Sequence, residues 1–181
     1  MRKEVRIALD TNIFISGLVT GRRTETSVKK LVDLLIRETL EGRLGGESAI
    51  RLVFPRIVLE ELLEVLDNIF STYEELDELK EIIQLLYEIS IDASPDEIGK
   101  FLKEVRLVLE RNCKELGKND ACNFDESDIP IIAASLACEC DYFVTGDKKI
   151  HRAFCRKNNE PAKIGNMTIL FPHEALSHLS V

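Results

Sequence analysis

Val5-Arg6-Ile7-Ala8-Leu9-Asp10-Thr11-Asn12 is a short run of mostly apolar residues that ends abruptly in a carboxylate. A stretch this brief and this apolar reads as a buried strand, so Asp10 falls just past a strand end. Similar segments recur at Arg51 to Phe54, Tyr87 to Ile91, Tyr142 to Thr145 and Met167 to Phe171. Between them lie amphipathic stretches of helical period, at Ser27 to Leu40, Pro55 to Ile69 and Tyr73 to Leu86. A fourth helix opens with Ser94-Pro95-Asp96-Glu97, a capping box with Pro in the first turn, and runs on through Val108. A fifth opens near Ser127 and Asp128, with Pro130 tolerated in its first turn. Alternation of this kind predicts an α/β fold, a Rossmann-like three-layer sandwich. Its central parallel sheet has the five candidate strands above, and helices cover both faces because right-handed crossovers place them there.

The 181 residues are enough for one core, so a single domain over residues 1–181 is expected. Apolar residues make up 45% and charged residues 31%, the balance of a globular protein and not of a disordered one. Gly42 to Ser48 and Gly117 to Glu126 read as loops. The apolar run Val5 to Leu9, broken by Arg6, fits neither a signal peptide nor a membrane span, and the expected location is the cytoplasm. Twenty-four Lys and Arg against 32 Asp and Glu give a net charge of −8, which excludes coating of nucleic acid by bulk charge. Any phosphate-bearing substrate must be met locally. The five cysteines show no CxxC pair and are expected to be reduced thiols, with no structural zinc. His151, His173 and His178 fit no metal spacing and read as surface or satisfied polar groups.

In open parallel sheets the ligand site lies beyond the carboxyl ends of the strands. Two of those ends carry Asp: Asp10, and Asp147 in Thr145-Gly146-Asp147. A third carboxylate comes from the helix beginning at Pro55, whose apolar stripe leaves Glu60, Glu64 and Asp67 on the far side but puts Glu61 at its edge. Glu61 there could also snorkel to water or pair with a lysine. The fourth is Asp128, whose place at a helix start equally suits a cap, a task that Asp125 or Glu126 could share. Several carboxylates at one rim repel each other, a cost that protons or a cation must offset. All-oxygen ligation suits Mg²⁺ or Mn²⁺, which bind phosphate oxygens and point to phosphoryl chemistry with a metal-activated water.

Asp10-Thr11-Asn12 after an apolar strand, Leu59-Glu60-Glu61-Leu62 on a helix after the next strand, Asp128 opening a helix, and then Thr145-Gly146-Asp147 resemble the PIN-domain nuclease superfamily in the order that family uses. The resemblance spans Val5 to about Phe171. It implies that Asp10, Glu61, Asp128 and Asp147 are the metal-binding and catalytic set, with Asn12 and Thr145 as supporting polar groups. It also implies an RNA substrate, dependence on Mg²⁺ or Mn²⁺, and hydrolysis by a metal-bound water. Many small members are VapC-type toxins, often homodimers, held inactive by an antitoxin protein encoded beside them.

Basic residues must then surround the acidic site, because phosphate contacts position the strand. Arg22 and Arg23, with Lys29 and Lys30, follow the Asp10 strand, and Lys148, Lys149 and Arg152 follow the Asp147 strand. No aromatic interleaving argues for base stacking. A haloacid-dehalogenase phosphatase would need a second Asp where Asn12 stands, and neither a P-loop nor GxGxxG is present. The rival from another class is a PIN-like module that binds RNA or protein without cutting.

Overall fold

The structure, a computed structural model, describes residues 4–19, 26–43, 49–69, 73–116, 125–155 and 161–179. Among these the chain runs β1 (Val5–Leu9), α1 (Thr11–Val19), α2 (Ser27–Arg43), β2 (Ile50–Val53), α3 (Arg56–Ile69), α4 (Tyr73–Ile89), α5 (Pro95–Leu116), α6 (Asp128–Ala137), β3 (Tyr142–Val144), α7 (Lys148–Phe154), β4 (Lys163–Ile164), β5 (Met167–Leu170) and α8 (Pro172–Leu179). The five strands form one sheet in the order β2-β1-β3-β5-β4. Strands β2, β1, β3 and β5 pair in parallel along that order, while β4 pairs antiparallel with β5.

The chain moves one way from β1 to β2 and the other way from β2 to β3, and right-handed crossovers put the two sets of helices on opposite faces. Accordingly α1, α2 and α8 pack together on one side, and α5 with α6 and α7 on the other. The strands are buried from both sides, so they read as continuous apolar runs. Ile7, Val53, Phe143 and Val144 are at most 1% exposed. Strand order reverses beside β1, and the crevice at the carboxyl ends of β1 and β3 is where such a sheet binds ligands.

Local chemistry explains several boundaries. Ser94 and Glu97 form the expected box, with the Ser94 amide donating to Glu97 Oε2 at 3.0 Å and the Glu97 amide to Ser94 Oγ at 3.4 Å. At the end of α6, Glu139 takes φ +57°, and the Cys140 and Glu139 amides donate back to the Ser135 and Leu136 carbonyls, a Schellman closure without the usual glycine. Gly17 lets α1 approach α2 closely, since a Cβ there would lie 2.4 Å from Val32 Cγ2.

The expected strand at Tyr87 to Ile91 is not formed. Leu79, Ile83 and Leu86 continue the buried stripe of α4, which carries the helix through Ile89, and only Ile91 forms a bridge, to Val53. The fifth strand is instead the short antiparallel β4. Helices α1, α7 and α8 are additions to the sequence reading. Gly42 belongs to α2, and most of the two expected loops, 44–48 and 117–124, lies outside the described residues. Cys138, Cys140 and Cys155 are in no disulfide, but Cys113 is disulfide-bonded. That corrects the expectation of five reduced thiols: bonding depends on spatial approach of two chain segments, which spacing along the sequence does not report. No helix among the described residues is long and apolar enough to cross a membrane.

Candidate functional site

Asp10 stands where β1 gives way to α1. Its amide still donates to the Val144 carbonyl of β3 at 2.9 Å, while its Oδ1 accepts from the Asn12 amide at 3.1 Å and so caps α1. Its other oxygen, Oδ2, accepts from the Thr145 hydroxyl at 2.6 Å. Thr145 is fully buried and Asp10 is 5% exposed, so this bond lies inside the crevice. The same Thr145 Oγ1 accepts from the Asp147 amide at 3.0 Å, and Asp147 in turn caps α7 by accepting from the Lys149 amide at 2.7 Å. One threonine therefore ties the ends of β1 and β3 together.

Glu61 reaches the site from α3. The Thr11 hydroxyl, buried at the start of α1, donates to Glu61 Oε2 at 2.6 Å. Its neighbour Glu60 faces outward and pairs with Arg56 at 2.9 Å. Of these two glutamates, Glu61 thus faces Thr11 beside Asp10, and Glu60 is the solvated pair.

Asp128 opens α6. Its position suits a cap, yet Ser127 is the capping residue and makes no side-chain capping bond, and Asp128 lies in the first turn. Asp125 is the residue engaged locally, accepting from the Ser127 amide at 3.0 Å, which holds its carboxyl below the ordinary range. Burial first, and then the charges of Asp10, Asp125, Asp147 and Glu61, together push the Asp128 carboxyl up to about 7. Asp10, Glu61 and Asp147 are thus near enough to Asp128 for their charges to act on it. Among the described residues, no Lys or Arg pairs with any of the four. No group of three or more His, Cys, Asp or Glu there is drawn close enough to hold a metal ion. Hydrogen bonds to Thr145, Thr11 and the Lys149 amide turn three of the four toward protein donors instead.

Asn12 contributes its amide to Asp10, while its side chain is exposed. Lys148, Lys149 and Arg152 are exposed on α7, directly after Asp147. Arg22 and Arg23 lie outside the described residues. Sequence reading passes over Thr11 as a separate site residue; a hydroxyl beside Asp10 is a signal, but its partner sits 50 positions away. It also leaves His151 as an ordinary polar group. His151 Nε2 meets the Thr145 carbonyl at 3.2 Å, and since a carbonyl only accepts, Nε2 carries the proton. Burial lowers its pKa, which keeps the ring neutral at pH 7.

A family model described as PIN domain matches residues 6–149. No curated protein matches the chain. Among solved structures the fold resembles that of VapBC2 from Rickettsia felis bound to a DNA fragment from their promoter, with a TM-score of 0.52 and 18% identity over 92% of this chain and 98% of that one. PIN domains are generally nucleases, and they generally use divalent metal ions. The matched residues run from the strand that delivers Asp10 to the helix start that Asp147 caps, and the chain belongs to the PIN-domain family.

Proposed function

We propose that the chain, as one domain over residues 1–181, is a cytoplasmic metal-dependent endoribonuclease in which Asp10, Glu61, Asp128 and Asp147 hold Mg²⁺ or Mn²⁺ and carry the catalysis. The observation that carries this reading is the Asp128 carboxyl, pushed up to about 7 by burial and by four neighbouring carboxylates. Crowded negative charge with no basic partner among the described residues is costly, and a cation offsets it. Oxygen-only donors suit a hard divalent ion. When bound, such an ion lowers the pKa of water and neutralises charge on phosphate oxygens.

The chain's own residues supply position. The Thr145 hydroxyl aims Asp10, the Thr11 hydroxyl aims Glu61, and the Lys149 amide aims Asp147. Asp128 lacks such a partner among the described residues and holds a proton near neutral pH in the metal-free protein. Asn12 and Thr145 act as supporting polar residues. Lys148, Lys149 and Arg152, with Arg22 and Arg23, meet the phosphates of the RNA strand. By analogy of fold, the chain acts as a homodimeric toxin restrained by an antitoxin protein; membership of the PIN family and the fold shared with VapBC2 support this part.

A second reading, a PIN-like module that binds RNA or protein without cutting, is favoured by the lack of a ligating carboxylate group among the described residues. Incubation of labelled single-stranded RNA with the full chain and Mn²⁺ separates the two. The nuclease cleaves it, and cleavage disappears with EDTA and in Asp10→Asn. Tight binding with intact RNA establishes the module.

A further inference from the structure

Three aromatic rings gather on the rim that carries the carboxylates. His151 and Phe171 lie 3.6 Å apart between ring centres with planes 13° apart, and His173 lies 5.9 Å from Phe171 at 16°. Strand register brings them to the site: Val144 pairs with Leu170, and the Thr145 amide donates to the Leu170 carbonyl at 3.1 Å, so Thr145 and Phe171 leave the sheet side by side. Two of the three ring residues are anchored. His151 is bonded to the Thr145 carbonyl, and the Phe171 amide donates to Glu174 Oε2 at 2.8 Å across the first turn of α8. Through Thr145, whose hydroxyl holds Asp10, the stack stands one residue from the carboxylate cluster.

His173 is exposed, and His151 and Phe171 are only partly buried, so these rings keep surface open to solvent. Beside them is a hollow of about 300 Å³ whose lining includes His151, Phe171, Glu174, His178, Ala162 and Ile169. Its walls combine aromatic faces and aliphatic side chains with a single carboxylate, a pairing suited to a flat ring bearing a hydrogen-bond donor. Among the described residues Glu174 Oε1 accepts no hydrogen bond, while the Glu174 charge acts on the neighbouring His151.

We propose that this hollow seats one unstacked base of the RNA strand against the His151 and Phe171 rings that line it, next to the exposed His173 ring that stacks on Phe171, with Glu174 Oε1 accepting a hydrogen bond from the base's amino group. The inference rests on the nuclease reading above and adds base choice to it. Single-stranded RNA is recognised by splaying bases onto aromatic side chains and reading their edges. Adenine and cytosine carry an exocyclic amino group that a carboxylate can accept from, and uracil does not. Glu174 is then a specificity residue, and Phe171 and His173 are binding residues that leave the reacting phosphate to the carboxylates.

The test measures anisotropy of labelled oligo(A), oligo(C) and oligo(U) with the full chain in the Asp10→Asn background, alongside cleavage of the same strands by the wild type with Mn²⁺. Oligo(A) and oligo(C) are expected to bind more tightly than oligo(U), and His173→Ala, at an exposed position, to weaken all three by about tenfold. Phe171→Leu acts in the same direction, and its melting curve reports whether it folds. Glu174→Gln keeps the bond to the Phe171 amide and is expected to erase the preference over oligo(U). If the wild type cuts RNA while His173→Ala and Glu174→Gln leave affinities and their ranking unchanged, the base seat is wrong and the nuclease stands. If the wild type neither binds nor cuts any of the strands, both fall together.

Discussion

The carboxyl of Asp128 ties the chemistry of the site to folding stability. Its pKa of about 7 in the fold lies above the ordinary 3.8, so between those values the folded chain holds a proton that the unfolded chain has released. Stability of the metal-free protein from this group therefore falls as pH rises through that window and levels off above it. Asp128→Asn keeps the shape without the charge. It is expected to melt above the wild type at pH 8, with a gap that closes toward pH 4, each kcal/mol being worth about 2–4 °C. A gap that is equal at both pH values would sink the crowding argument. Thr145 gives a second check, because its buried hydroxyl serves Asp10 and the Asp147 amide at once. Thr145→Val strands those partners at a cost of about 1–3 kcal/mol. On the nuclease proposal, cleavage is expected to fall by up to about a hundredfold although all four carboxylates remain, and Thr145→Ser to restore it.

The elements that deliver these side chains are positioned by close packing that tolerates little change. Where α1 passes α2, Gly17 leaves no room for a methyl group against Val32. Gly17→Ala is expected to destabilise the protein by about 1–3 kcal/mol through overpacking. Because α1 begins at Thr11, beside Asp10, the same variant is expected to lower cleavage as well as the melting temperature. Denaturant titration reads the first effect; an unchanged midpoint would mean that the two helices do not meet as described. Helix α7 works differently, since Asp147 caps it and its exposed lysines follow at once. The sequence pattern displays α2, α3 and α5 because long amphipathic stripes are legible without tertiary information. It does not display α1, α7 or α8, which are short and follow directly on strand ends, where residues of both periods overlap. Tyr87 to Ile91 misleads for a related reason: a brief apolar run suits a strand or the last turn of a helix, and burial of Leu86 on the inner face of α4 decides it.

With a net charge of −8, the protein as a whole repels polyanions, so the RNA binding proposed above would depend on a few local cations. Lys148→Glu with Lys149→Glu is expected to weaken binding of a single strand and to flatten its salt dependence. The slope of log K against log salt becomes shallower by about 0.7 for each phosphate that is no longer neutralised. Filter binding across a salt series measures it, and an unaltered slope would move the RNA path away from α7.

Strand ends, helical stripes and the order of acidic residues are local properties, so the α/β class, and the four carboxylates proposed for the site, can be read along the chain before any tertiary neighbour is known. Which side chains meet is a long-range matter. Thr145 and Asp10 are 135 positions apart, and Thr11 and Glu61 are 50 apart. The folded chain separates Glu61 from Glu60 and Asp128 from Asp125, bonds Cys113, and stacks His151 on Phe171. Each of those outcomes depends on sheet register and helix packing, which bring distant segments within a few ångströms and which no spacing along the chain encodes.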